Sequence, residues 1–475
     1  MSTPSSGGAA ARTIVRGGLV ITASDETHAD VLIEGGRIAA LAAHDSDAAA
    51  AWTAGAVIDA TGKYVVPGGV DAHTHMQMPF GGTTASDTFE TGTRAAAWGG
   101  TTTIVDFAIQ SVGASLRAGL DAWHAKADGQ CAVDYGFHMI VSDVTEHTLK
   151  EMDVLVEEGV TSFKMFMAYP GVFYSDDGKI LQAMQRASGN GGLVMMHAEN
   201  GIAIDVLVRQ ALAAGKTDPR HHGEVRHALL EAEATHRAIQ LARVAGSPLY
   251  VVHVSAEQAV AELAAARDLG LPVFGETCPQ YLFLSTDDLA APDFEGAKYV
   301  CSTPLRPREH QAALWRALRT DDLQVVSTDH CPFCFKGQKD MGVGDFSKIP
   351  NGLPGVENRM DLLHQAVVDG RISRRRWIEI ACAAPARMFG LYPRKGTLAP
   401  GADADVVVYD PHAEQTLSAA THHMNVDYSA YEGRRITGRV ETVLSRGVPV
   451  VDRGSYVGRA GHGSYVPRAT CGYLD

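Results

Sequence analysis

Eight short apolar runs recur through the middle of the chain. They are GGVDAHTH (68–75), TTTIVDFA (101–108), VDYGFHMI (133–140), TSFKMFM (161–167), GLVMMHAE (192–199), PLYVVHVS (248–255), LPVFGETC (271–278) and LQVVSTDH (323–330). Each has the length of a strand and is nearly continuously apolar, as strands covered on both faces are. Helical stretches fall between them. One is SAEQAVAELAAARDLG, which opens on Ser255 as a cap and closes at Gly270. Eight strands alternating with helices predict an α/β fold, a (β/α)8 TIM barrel. A doubly wound open sheet is the alternative, but no glycine-rich dinucleotide fingerprint opens a helix.

The two chain ends follow another pattern. TIVRGGLVIT, DVLIEGGRIAAL and AGAVIDATGKYVVPGG combine β-branched residues with glycine turns, and the texture returns in GADADVVVYDP and GRVETVLSRGVPVVDRG. Chain ends commonly lie close together, so both regions are expected to form one small β-sandwich domain. The expected organisation is a disordered tail at 1–11, sandwich residues 12–67, a catalytic barrel at 68–392, sandwich residues 393–455 and a C-terminal tail at 456–475.

Composition narrows the function. A chain of 475 residues is long enough for a large domain plus a smaller one, and 45% hydrophobic with 20% charged residues is ordinary for a globular protein. With 41 basic against 55 acidic residues the net charge is -14, which repels phosphate backbones, so no nucleic acid partner is expected. No apolar run reaches the roughly 18 residues of a membrane span, so no membrane partner is expected either. The opening MSTPSSGGAAA lacks the basic start and apolar stretch of a secretory leader. Seven scattered cysteines, an odd number, fit a reducing cytoplasm.

Candidate chemistry gathers at the strand ends, where a barrel builds its site. Strand one ends in His73 and His75, strand five in His197, strand six in His253 and strand eight in Asp329, while strand four carries Lys164. Two histidines two apart on a strand share a face. A lone His-x-His pair is weak evidence, but four histidines and an aspartate at separate strand ends of one mouth suit zinc or another first-row divalent metal. Lys164 as an ammonium has no lone pair for a metal. Between two cations it would lose its proton, and the neutral amine can add carbon dioxide to give a carbamate (N6-carboxylysine) that bridges them. Cys331-Pro-Phe-Cys334 has no second such pair and reads as structural thiols. The pairs His221–His222 and His422–His423 read as surface histidines.

Taken together, PGGVDAHTH, FKMFMAYPG, MMHAEN, VVHVS and VCSTPLR…STDHCPF…IPNGLPGVENR resemble the cyclic-amidohydrolase branch of the amidohydrolase superfamily, the D-hydantoinases and dihydropyrimidinases, from about Thr13 to about Gly454. The resemblance implies two divalent metal ions per subunit, zinc, bridged by carboxylated Lys164. His73, His75, Lys164 and Asp329 would hold the more buried ion, and Lys164, His197 and His253 the other. It implies that Asp329 moves the proton of the attacking water to the leaving nitrogen and that the Tyr169 hydroxyl stabilises the oxyanion. Main-chain groups at Ser302 and Asn351 would bind the ring, and Phe80, Phe166 and Phe173 would contact its substituent. Met76 and Gln77 stand where leucine and often an acidic residue are expected. The implied activity is hydrolytic opening of hydantoins or dihydropyrimidines to N-carbamoyl amino acids, in a homotetramer to which the tail contributes. The alternatives are an allantoinase-like cyclic ureide hydrolase and a non-catalytic dihydropyrimidinase-related scaffold protein; the complete ligand set argues against the scaffold.

Overall fold

A computed structural model describes residues 12–474. The expected tail at 1–11 lies outside the described residues. The eight apolar runs all become barrel strands: β1 (Gly69–Thr74), β2 (Thr101–Ile109), β3 (Asp134–Ile140), β4 (Ser162–Phe166), β5 (Leu193–His197), β6 (Leu249–Val251), β7 (Val273–Thr277) and β8 (Val325–Val326). They pair in chain order, every pair parallel. A parallel bridge between Thr74 and His330 brings the ring to near closure. The His75 amide donates to the His330 carbonyl at 2.8 Å across the same seam. The strands are buried almost throughout because helices cover the outside while side chains fill the inside.

The two β-rich ends merge into one nine-stranded, mostly antiparallel sheet. The join is Tyr64–Pro67 against Val406–Thr416, with Val406 opposite Pro67 and Tyr409 opposite Tyr64. Val15, Val31, Val65, Val406 and Leu444, drawn from both ends of the chain, share a core separate from the barrel's. The C-terminal segment runs over the N-terminal ends of β3 and β4. Val466 N–H donates to Tyr135 O at 2.8 Å and Arg468 N–H to Gly159 O at 3.0 Å. The buried Arg468 guanidinium donates to Phe137 O at 2.5 Å and to Ser162 Oγ at 2.8 Å. It thereby stoppers the barrel at the end opposite the strand-end histidines. Among the described residues no helix is long and apolar enough to cross a membrane.

Two local expectations are corrected. The helix expected to start at Ser255 spans Glu257–Asp268 and has Ala256 as its N-cap, with no side-chain cap bond. Ser255 is engaged elsewhere: its amide and hydroxyl donate to Glu231 at 2.8 and 2.6 Å, and its oxygen accepts from Arg306 Nε at 3.0 Å. A buried carboxylate and guanidinium offer stronger, charge-assisted bonds than the helix end does. His221 and His222 are buried rather than at the surface. Their short helix, Arg220–Val225, folds inward, and the His222 Nε2 sits 2.8 Å from the Cys301 carbonyl. His423 is partly covered and stacks on Trp98 with ring centres 3.8 Å apart.

Candidate active site

The side chains of Asp71, His73 and His75 alternate to the inside of β1 and its end. Thr328, just after β8, binds Asp71 through its amide at 3.1 Å and its hydroxyl at 2.6 Å. That anchor sets the first and last strands in register beneath the mouth. Asp329 and His253, directly past β8 and β6, have φ of 51° and 41°, and Tyr169 in the loop after β4 has φ of 62°. Asp and His tolerate the left-handed region better than Tyr does. Non-glycine residues held there concentrate at functional sites.

Asp329 Oδ1 lies 3.1 Å from both His73 Nε2 and His75 Nε2. Ligand atoms of these three residues all fall within 4.8 Å of one another. Lys164 Nζ is 2.8 Å from His73 Nε2. The rings of His197 and His253 form a second pair, 4.6 Å between centres, and the His253 ring is 5.5 Å from that of His73. All six expected ligands are buried. Burial holds His73, His75 and His253 well below the usual imidazole range, and the Lys164 charge adds to this. They are therefore neutral imidazoles with lone pairs available. Among the described residues the buried Nδ1 atoms of His75 and His253 have no hydrogen-bond partner. Burial also brings Lys164 down to about 8, against the pull of Asp329 and Glu276. Neutral imidazoles and a carboxylate around unpartnered buried nitrogens fit a divalent metal.

Carboxylates the sequence reading missed stand behind two of these histidines. Glu276, on β7, contacts His73 Nδ1 and is itself held by the Tyr250 hydroxyl at 2.9 Å and by the Ser327 hydroxyl. Burial raises its carboxyl to about 7. Glu199 Oε2 lies 2.7 Å from His197 Nε2 and accepts from Arg226 Nη1 at 2.7 Å. Such partners choose the tautomer and turn the other ring nitrogen toward a metal. Both are buried, and the only hint in sequence is an acidic residue near a strand end.

Above these candidate ligands, one cavity is lined by Phe80, Phe166, Tyr169, Phe173, Ser302 and Asn351, together with His75, Lys164, His197, His253 and Asp329. Every residue expected to touch substrate thus faces the same space; Met78, Cys331 and Gly352, which were not foreseen, line it too. Phe166 and Phe173 stack with centres 5.0 Å apart, and Phe80 meets Tyr169 edge-on at 5.2 Å. The Tyr169 phenol faces the same space as Ser302 and Asn351, and burial, partly offset by Arg226, raises it to about 12. It is a neutral O–H donor at any physiological pH. Cys331 and Cys334 remain thiols. Among the described residues, three or more possible ligand atoms converge at His73, His75 and Asp329 and not at this cysteine pair.

The model of the amidohydrolase family matches residues 64–450. A D-hydantoinase from Streptomyces coelicolor is 83% identical, the alignment covering 98% of this chain and 99% of that protein. A D-hydantoinase from Geobacillus stearothermophilus is 50% identical, with 97% of both chains covered. Among solved structures, dihydropyrimidinase from Brevibacillus agri superposes with a TM-score of 0.95 at 50% identity, covering 97% of this chain and 99% of that one. The L-hydantoinase of Arthrobacter aurescens is more distant, with a TM-score of 0.86 at 30% identity over 96% and 99% of the two chains. A buried histidine–aspartate cluster at the mouth of a parallel barrel and full-length similarity lead to one conclusion: this chain belongs to the amidohydrolase family, among its D-hydantoinases and dihydropyrimidinases.

Proposed function

We propose that this cyclic-amide hydrolase opens hydantoin and dihydropyrimidine rings at a centre of two divalent metal ions, zinc, held by His73, His75, Lys164, His197, His253 and Asp329. The observation that carries the reading is the convergence of these six buried groups beneath a single aromatic cavity. Lys164, displaced toward its neutral form and beside His73, is read as the N6-carboxylysine that joins the two halves of the site. When bound, the metal pair polarises the ring carbonyl and makes water a nucleophile at neutral pH.

The chain's own residues do the rest. Main-chain groups at Ser302 and Asn351 hold the planar ring amide. Asp329 takes the proton of the attacking water and returns it to the ring nitrogen as the C–N bond breaks. Tyr169 donates to the oxygen on which charge develops. Phe80, Phe166 and Phe173 cover the ring substituent and exclude water. Hydantoins give N-carbamoyl amino acids, and dihydropyrimidines give N-carbamoyl β-amino acids. The direct test is kcat/KM of metal-loaded protein on dihydrouracil and on D- and L-5-aryl or 5-alkyl hydantoins. The aromatic walls favour a 5-aryl hydantoin; turnover of none of these substrates would overturn the proposal, and faster turnover of allantoin would move the protein to the allantoinases.

Two variants separate roles within the site. Tyr169→Phe should lower kcat about 100- to 1,000-fold, the usual cost of one oxyanion donor, at unchanged metal content. A loss of metal instead would make Tyr169 a structural residue. Glu276→Gln should weaken metal affinity about 10- to 100-fold, as removing a carboxylate behind a ligating histidine does, read by competition with a chromophoric chelator.

The assembly read for this chain is a homotetramer, with residues 456–475 contributing to its contacts. It is supported by an apolar face left open on the helix Gly201–Ala213, where Ile202 is 51% and Val206 40% exposed. Light scattering should give the mass of four chains, and Ile202→Asp with Val206→Asp should give a smaller species; a monomeric parent protein would refute it. The thiols of Cys131, Cys278, Cys301, Cys331, Cys334 and Cys382 support a cytoplasmic location.

A further inference from the structure

Lys339 is completely buried, yet among the described residues no carboxylate pairs with it. Its Nζ donates to the Val300 carbonyl at 2.8 Å and to the Pro350 carbonyl at 3.0 Å. Those two carbonyls have a common significance. Val300 stands two residues before Ser302, and Pro350 immediately precedes Asn351. The same Val300 oxygen accepts from Gly352 N–H at 3.0 Å, and Asn351 Nδ2 donates to Ser302 Oγ at 3.0 Å. One ammonium therefore ties together the two segments that wall the cavity above the histidines.

The turn carrying Lys339 is itself anchored. Lys339 N–H donates to Cys334 O at 3.0 Å. Its neighbour Gln338 donates through Nε2 to Thr83 Oγ1 and to Thr84 O, both at 2.8 Å. Thr83 and Thr84 pair with Pro79 and Phe80 in a small hairpin. The turn thus reaches a third wall of the cavity, the one bearing Phe80.

Lysine is almost never fully buried without an anionic partner, because removing an ammonium from water is costly. The titratable neighbours are the thiols of Cys301 and Cys331 and the His222 imidazole, none of which compensates as a carboxylate would. A methionine would fill the same space without that cost. Position, rather than stability, is what the amine supplies. Two of its hydrogens suffice for the two carbonyls, so the clamp holds whether the group is an ammonium or a neutral amine.

We propose that Lys339 is a positioning residue that holds the Ser302 and Asn351 segments at the spacing that grips the ring amide, making it a determinant of ring recognition rather than of substituent recognition. This rests on the proposed hydrolysis of cyclic amides. Lys339→Met in metal-loaded protein should raise KM about tenfold, a loss of about 1.4 kcal/mol, by the same factor for unsubstituted hydantoin, dihydrouracil and a 5-aryl hydantoin. Its kcat and metal content should hold, with Tm equal to or above that of the parent. Lys339→Gln, which keeps two N–H donors on a shorter arm, should recover part of the loss and serves if the methionine variant does not fold. Hydrogen exchange should quicken in both 300–303 and 350–353 and not elsewhere. An unchanged KM, a KM change that depends on the substituent, or a fall in kcat alone would overturn the proposal. If the parent protein hydrolysed no ring substrate, the functional reading would fail while hydrogen exchange still judged the clamp.

Discussion

Asp329→Asn is expected to lower kcat by about three to four orders of magnitude, the upper range for removing a general acid–base group, while much of the metal stays bound. The reason is the position of its carboxylate, 3.1 Å from both histidines of the first strand and open to the substrate cavity. Asparagine retains an oxygen that can face a cation. It cannot take up a proton from water or hand one to a leaving nitrogen. The measurement pairs steady-state rates with metal analysis of the same sample. An unchanged kcat would remove Asp329 from proton transfer, and loss of all metal would make it a ligand alone.

Lys164→Ala is expected to abolish detectable turnover together with metal binding, a larger effect than any other single change at this site. Lys164 is 1% exposed and lies between the His73 side of the site and the cavity. Its Nζ lies 2.8 Å from His73 Nε2 and it lines the same cavity as His197 and His253. Alanine would leave neutral imidazoles facing one another with nothing anionic between them except Asp329. Metal content by atomic emission should fall to background. Native mass of the parent, loaded with zinc in the presence of bicarbonate, should exceed the sequence mass plus metal by one carbon dioxide per chain. Full metal content in the alanine variant would sink the bridging role, and the absence of the added mass would sink the carbamate.

Both predictions depend on residues that could be picked out before the fold was known, and the reason is the regularity of the barrel. A strand buried on both faces has to be apolar, so a histidine or an aspartate at its end stands out. Barrel topology then sends every strand's C-terminal end to one mouth. His73, His75, His197, His253 and Asp329 were therefore legible from local pattern and chain order together. Lys164 was legible for the same reason, as a charge inside an otherwise apolar run. The merging of the two chain ends followed from their shared strand-and-turn texture, although their union as one sheet through Tyr64–Pro67 and Val406–Thr416 is a matter of pairing.

Other features were settled by contacts between distant parts of the chain. Glu276 meets His73 from 203 residues away, and Lys339 reaches Val300 from 39 residues away. Neither has a periodic or spacing signature, since a helix (Glu309–Thr320) and strand β8 intervene before Lys339 and a buried glutamate or lysine is written with the same letter as an exposed one. Ser255 failed as a helix cap because Glu231 and Arg306, remote in sequence, bind it more strongly. His222 turned inward because a carbonyl at Cys301 was there to receive it. The sequence by itself determined the strands, their order and the candidate ligands at their ends, because hydrophobic burial imposes a local pattern on the chain. Only the tertiary structure decided which buried polar groups stand behind those ligands, because a polar group can be buried only where another part of the chain arrives to satisfy it.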